Sequence, residues 1–276
     1  MPIVAITREM GSLGKDVAAG LGELLDLPVV YHEVVDHLAD RMRVRKSHVI
    51  RLLDGSAGLV ERMTADKTSL AIFSADEIFD LVLEGKGAVV RGWGATHLLR
   101  DVPHAVCVRV CAPLEVRKRR MMERLSVEDD GAVGVEIHCN DEAHAAIMRR
   151  NFGLQWTDPE NYDVVFNTQR VGVDECVDEV CRLVKSDTFA ETVESRQQLE
   201  DLALVARTRA ALRLSPLTRD TKIAVTAKFG RVTLSGKVDT GTMLAMAEVV
   251  DGVPGVKDFD YRLVVHEEPG AGTRPN

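Results

Sequence analysis

The sequence predicts an α/β fold, a parallel sheet with crossover helices, followed by a small α+β module. Three observations predict it. Short apolar runs alternate with helical patterns through residue 185. A glycine-bearing turn joins the first run to the first helix, and a polar stretch then separates this region from a shorter helix–strand–strand–helix–strand pattern.

The expected strands of the first region are Ile3–Thr7, Pro28–Tyr31, Ala88–Arg91, Ala105–Val110 and Tyr162–Asn167. They are apolar along their length, as strands covered on both faces must be. The expected helices are Lys15–Leu25, Glu33–Met42, a pair of segments within Ser47–Leu83, Pro113–Leu125, Asp141–Asn151 and Val173–Lys185. Ser126–Cys139, with its acidic Glu128-Asp129-Asp130 and two glycines, reads as an irregular, mobile connection between two basic helical segments. Residues 1–185 therefore form one domain, 186–198 a polar linker, 199–267 a second domain, and 268–276 a disordered Gly- and Pro-bearing tail. In the second domain the expected elements are helix Leu199–Leu214, strands Lys222–Lys228 and Arg231–Ser235 around the turn Phe229-Gly230, helix Thr240–Asp251 and strand Val256–Val265. Val232, Leu234, Val249 and Val256 are its expected core. It carries no His, Cys or paired-acid cluster with catalytic spacing, which points to binding or assembly rather than chemistry.

Composition narrows the classes. A net charge of -8 over 276 residues opposes general nucleic-acid binding, which needs a basic footprint. Five cysteines without a C-x-x-C pair read as reduced thiols, not a disulfide framework or a zinc site. Cys107 and Cys111, four apart in a strand, share one side of the sheet. No apolar stretch approaches the roughly 20 residues of a membrane span, and the start reads as a strand rather than a signal peptide. A cytoplasmic location is the expectation.

The chemistry is concentrated in Thr7-Arg8-Glu9-Met10-Gly11-Ser12-Leu13-Gly14-Lys15-Asp16, between the first strand and the first helix. Backbone N–H groups of such a turn, with the helix N-terminus, hold phosphate oxygens, and a lysine neutralises them. The strict Gly-x4-Gly-Lys-Ser/Thr pattern is missed twice: Glu9 stands at the first glycine and Asp16 at the magnesium-binding hydroxyl. Farther on, Arg117, Lys118, Arg119, Arg120 and Arg124 make a basic helix on which Arg117, Arg120 and Arg124 share one face, with Arg149 and Arg150 beyond the acidic turn.

Three stretches resemble the cytidylate-kinase-like family of P-loop nucleoside monophosphate kinases. They are Ile6 to Ala18, then Leu99-Arg100-Asp101-Val102-Pro103 with Ala112 to Arg117, and Trp156-Thr157-Asp158-Pro159-Glu160-Asn161-Tyr162-Asp163-Val164-Val165-Phe166-Asn167-Thr168. The family loop carries acidic residues where Glu9 and Asp16 stand. The C-terminal region resembles a BON domain through Val232-Thr233-Leu234-Ser235-Gly236-Lys237-Val238 and Val253-Pro254-Gly255-Val256-Lys257.

The resemblance implies a P-loop NTPase-type sheet and transfer of the ATP γ-phosphate to a pyrimidine monophosphate, CMP above all. It implies ATP held by Gly11, Ser12, Leu13, Gly14, Lys15 and Asp16, with Mg²⁺ bridging the nucleotide phosphates near Ser12 or Asp16. Catalytic cations would be Lys15, Arg117, Arg120, Arg124 and Arg149, and substrate contacts would come from Arg41, Arg91, Trp93 and Asp141. The BON-like region implies a protein or lipid-surface partner. Departures from the family pattern stand at His32, Trp93 and His144, where an aspartate, an arginine and an arginine are usual. They keep a second expectation open, a catalytically degenerate kinase fold that binds nucleotide and acts as a regulatory or assembly module.

Overall fold

The computed structural model describes residues 1–53, 66–92 and 94–266, and the chain divides into two compact units, Met1–Ser195 and Arg196–Asn276. The expectations placed on Trp93 and on the tail 268–276 lie outside the described residues.

The first unit is built on five parallel strands: β1 (Ile3–Arg8), β2 (Val29–Val30), β3 (Ala88–Arg91), β4 (Ala105–Cys111) and β5 (Val164–Asn167). Their order is β2-β3-β1-β4-β5. Ile3, Val4, Ala5 and Ile6 are all fully buried, because helices cover both faces of the central strand. Against one face pack α1 (Gly14–Leu25) and α8 (Val173–Val184), where Val17 and Leu21 join Cys176, Val177 and Val180 in one core with Val4, Ile6, Val106 and Val108. Toward the β2 edge come α2 (His32–Met42), α3 (Lys46–Leu53) and α4 (Lys67–Glu84), the last capped by Asp66, whose carboxylate accepts the Ser69 N–H. A short α5 (Ala95–Leu99) follows β3.

The chain leaving β1 crosses toward β2, and the chain leaving β4 crosses toward β5. The connections leaving the neighbouring strands β1 and β4 therefore run in opposite directions from their C-terminal ends, the place where such sheets form a ligand crevice.

After β4 come α6 (Leu114–Leu125) and the long α7 (Asp130–Phe152). The expected irregular connection Ser126–Cys139 is thus largely helix. Ser126 ends α6 in the left-handed region, and Asp129 caps α7 by accepting the Ala132 N–H at 2.9 Å. The acidic run that read as a mobile turn is a helix start, with negative charge at the positive end of the helix dipole.

The expected linker is corrected in the same way. Helix α9 spans Val193–Leu214, begun by a reciprocal pair in which Thr192 N–H donates to Ser195 Oγ and Ser195 N–H donates to Thr192 Oγ1. Residues 193–198 are therefore helical, and the division between units falls in the first turn of α9.

The second unit carries β6 (Ile223–Lys228), β7 (Arg231–Asp239), α10 (Thr240–Asp251) and β8 (Asp258–His266), with β7 central, antiparallel to β6 and parallel to β8. Phe229 and Gly230 both take positive φ, the conformation a two-residue hairpin turn needs. Val232, Leu234, Met246 and Val250 are fully buried, while Val249 and Val256 are half-buried against that core.

Candidate functional site

The loop after β1 is shaped to present donors. Gly11 (φ 78) and Leu13 (φ 62) are left-handed, and no side chain caps the N-terminus of α1. Ser12 N–H turns back to the Glu9 carbonyl, and Asp16 N–H to Leu13 O. Among the described residues the N–H groups of Gly11, Leu13, Gly14 and Lys15 have no acceptor. Unpaired N–H groups at a helix start are the kind of arrangement that can hold an anion.

The carbonyls of the same turn are held from outside. Arg117 Nη1 reaches Met10 O and Arg120 Nη1 reaches Gly11 O, each at 3.4 Å, and the Thr168 hydroxyl donates to Ser12 O at 2.8 Å. Gly11 is required by packing as well as by φ: a Cβ there would stand 2.8 Å from the Arg117 carbonyl.

Lys15 is exposed and makes no hydrogen bond or ion pair among the described residues, so its ammonium is available to the crevice. Asp16 is also exposed, in the first turn of α1. Ser12 Oγ is buried and without a hydrogen-bond partner among the described residues. Among the described residues no group of three His, Cys, Asp or Glu is placed to hold a metal by itself.

The predicted cations are distributed differently than a ring of free lid arginines. Arg117 is largely buried, its Nη1 2.8 Å from Asp141 Oδ2 and its Nε 3.5 Å from Glu9 Oε2. Arg120 spends Nη1 on the Thr168 hydroxyl at 2.9 Å and Nη2 on the Thr168 carbonyl at 2.8 Å, and burial followed by the neighbouring Arg119 lowers its pKa. These two brace the loop rather than standing free above it. Arg124 and Arg149 are exposed and make no bond to the loop.

The predicted substrate contacts do not converge on the loop. Arg41 is tied by Nη1 to Asp76 (2.8 Å) and Glu77 (2.7 Å) and lies over the Phe73 ring, between α2 and α4. Burial raises the Asp76 carboxyl despite that pairing. Arg91 is buried at the end of β3 with its guanidinium 3.9 Å from the Tyr31 ring centre. Asp141 faces Arg117; burial raises its pKa, and its Oδ1 has no partner.

His144 follows Asp141 by one helical turn and packs on Trp156, ring centres 4.4 Å apart. Burial, then Arg8 and Arg109, hold its pKa down to about 4, so the ring is neutral near pH 7. An arginine at 144 would add a third cation to that neighbourhood.

The Trp156–Thr168 stretch proves architectural. Tyr162 hydroxyl donates to Trp156 O, Asp163 carboxylate accepts the Cys107 N–H, and Thr168 closes on the phosphate loop. Arg109 is the site residue that sequence reasoning passed over, while Glu9 and Thr168 were noted within motifs without a role of their own. Arg109 carried a signal, since it is the one charge in the otherwise apolar strand β4.

The sequence model of the cytidylate kinase-like family matches residues 3–170. The chain belongs to that family. Among solved structures, one described as an uncharacterized protein from Eubacterium ventriosum is 22% identical with a TM-score of 0.53, over 67% of this chain and 99% of that one, and shares the fold. Shikimate kinase from Bacteroides thetaiotaomicron (13% identity, TM-score 0.42, 67% and 99% covered) and the YorR protein of Bacillus subtilis in complex with phosphorylated GDP (14%, 0.39, 69% and 99%) superpose more loosely. No curated protein matches the sequence. This cytidylate kinase-like protein is thus nucleotide-kinase-like in fold and in the character of its loop, and no helix among its described residues is long and apolar enough to cross a membrane.

Proposed function

We propose that this cytidylate kinase-like protein transfers the γ-phosphate of ATP to a pyrimidine nucleoside monophosphate, with CMP the expected acceptor. The observation that carries the reading is the turn at Gly11–Lys15, where four N–H groups lack acceptors and the Lys15 ammonium lacks a partner among the described residues. Phosphoryl transfer needs mostly positioning and charge stabilisation, and this turn offers both.

In this reading the amides of Gly11, Leu13, Gly14 and Lys15 orient the ATP phosphates, and the Lys15 ammonium offsets charge on the outer ones. Ser12 Oγ and Asp16 would hold Mg²⁺ or its waters, and the ion, when bound, would supply charge neutralisation to the nucleotide phosphates. Arg124 and Arg149 supply cations around the transferred group, Arg117 and Arg120 act through the loop they brace, and Arg41, Arg91, Trp93 and Asp141 contact the acceptor. The second unit, BON-like in its helix–strand–strand–helix–strand order, serves a protein or lipid-surface partner, and the protein works in the cytoplasm.

A second reading is favoured by one observation: Arg41 and Arg117 are both neutralised by carboxylates. An arginine that meets the transition-state phosphate is worth roughly 10³–10⁵ in rate, so their commitment elsewhere suits a nucleotide-binding regulator that has lost turnover. A coupled assay for ADP with Mg-ATP and a panel of monophosphates separates the two. Acceptor-dependent ADP release lost in Lys15→Ala supports the enzyme; ATP binding by calorimetry without turnover supports the regulator.

A further inference from the structure

We propose that Glu9 is a positioning residue of the phosphate loop, its carboxylate clamping β4 and α6 so that the turn keeps its amides inward. The inference rests on the reading that this loop binds nucleotide phosphates.

Glu9 stands where the strict loop pattern has its first glycine, and its side chain leaves the turn for the start of α6. Two donors meet it there, Arg109 Nη2 at 2.6 Å and the Ala112 N–H at 3.1 Å, and Arg117 Nε lies 3.5 Å away as an ion-pair contact without a hydrogen bond. All three side chains are largely buried, with Glu9 12%, Arg109 10% and Arg117 9% exposed. Ion pairs so shielded from water hold geometry firmly, and loss of one partner leaves an uncompensated charge.

The clamp reaches the anion site through α6. Arg117 and Arg120 hold the Met10 and Gly11 carbonyls with long bonds of 3.4 Å, and the Gly11 backbone packs on the Arg117 carbonyl. Bonds that long tolerate little further separation. If α6 drifts, the carbonyls lose their donors and the opposing N–H groups lose their common direction. Glu9 holds the entry to α6 at the Ala112 amide and α6 itself through the Arg117 ion pair, so it fixes that separation without touching the ligand.

The test is calorimetry on full-length protein with Mg²⁺ and a non-hydrolysable ATP analogue, and separately with inorganic tripolyphosphate. Wild type, Glu9→Gln, Glu9→Ala and Lys15→Ala are compared at a temperature where circular dichroism shows each folded. Glu9→Gln, which keeps an acceptor for Ala112 but loses the charge, should bind both ligands about tenfold more weakly, and Glu9→Ala more weakly still. A purely structural role would lower the melting temperature and leave the Kd of the folded variant where it was. Folded Glu9→Gln binding within twofold of wild type overturns the proposal, and being isosteric it decides alone if Glu9→Ala fails to fold. Wild type that binds neither ligand overturns the phosphate reading and this inference together, whereas wild-type binding matched by Glu9→Gln overturns Glu9's role alone.

Discussion

Arg117 Nη1 lies 2.8 Å from Asp141 Oδ2, which joins α6 to α7 through a pair whose members are 24 residues apart in the chain. With Glu9 and Arg109 the pair forms an alternating row of charges behind the phosphate loop. That row makes the basic helix a support of the site, and it separates the arginines that hold the fold from those that face solvent.

Arg117→Ala strands Glu9 and Asp141 with reduced compensation in a poorly hydrated place. It should cost about 2–4 kcal/mol of stability, read as a lower urea midpoint at unchanged slope. Arg124→Ala, exposed in the last turn of the same helix, should stay within about 0.5 kcal/mol of wild type. Equal losses in the two variants would contradict the division.

The neutral His144 sets a pH dependence. Its folded pKa is lowered to about 4 from the usual 6.5, so between those values the unfolded chain takes up a proton that the folded chain refuses. Its contribution to stability is complete above about pH 6.5 and is lost as pH falls toward 4. His144→Phe keeps a ring on Trp156 and removes the titration, so the gap between wild type and variant should narrow steadily on acidification. A gap that stays constant over this window would show that the ring does not titrate there.

The thiols should differ sharply in reactivity. Burial pushes Cys107 up to about 12 and Cys176 up to about 11, and it raises Cys111 and Cys181 as well, while Cys139 is exposed on α7. At pH 8 a thiol reagent should modify one equivalent rapidly in the native protein, and Cys139→Ser should abolish that phase. Two or more fast equivalents would contradict the shielding of the three buried thiols and the half-buried Cys111.

The second unit should fold without the first. Val232, Leu234, Met246 and Val250 form a closed core, and a fragment starting at Glu191 keeps the Thr192–Ser195 helix start. It should melt cooperatively, and Leu234→Ala should cost about 2–5 kcal/mol. Starting at Gln197 removes the cap and should lower stability by about 1 kcal/mol. A Glu191 fragment without cooperative melting would contradict an independent core.

The sheet was legible in the sequence because β1, β3 and β4 are apolar on both faces, and no other element tolerates that so briefly. The loop was legible because Gly11, Gly14 and Lys15 fall between a strand and a helix. Two helix starts were misread for a local reason: Asp129 and Thr192 look like loop residues, yet each is a cap, which is a loop residue by backbone and part of a helix by hydrogen bond. The roles of Glu9, Arg117 and Thr168 were hidden for a different reason. Their partners are 24 to 156 residues away, and neither charge nor periodicity says that a cation is already spoken for.

The most direct test of the account is chemical: incubation of the purified protein with Mg-ATP and CMP, followed by mass-resolved measurement of the nucleotides. The account predicts CDP and ADP formed in equal amounts by wild type and neither above background by a folded Lys15→Ala. ATP bound by wild type with no diphosphate made from CMP, UMP or any other monophosphate would contradict it.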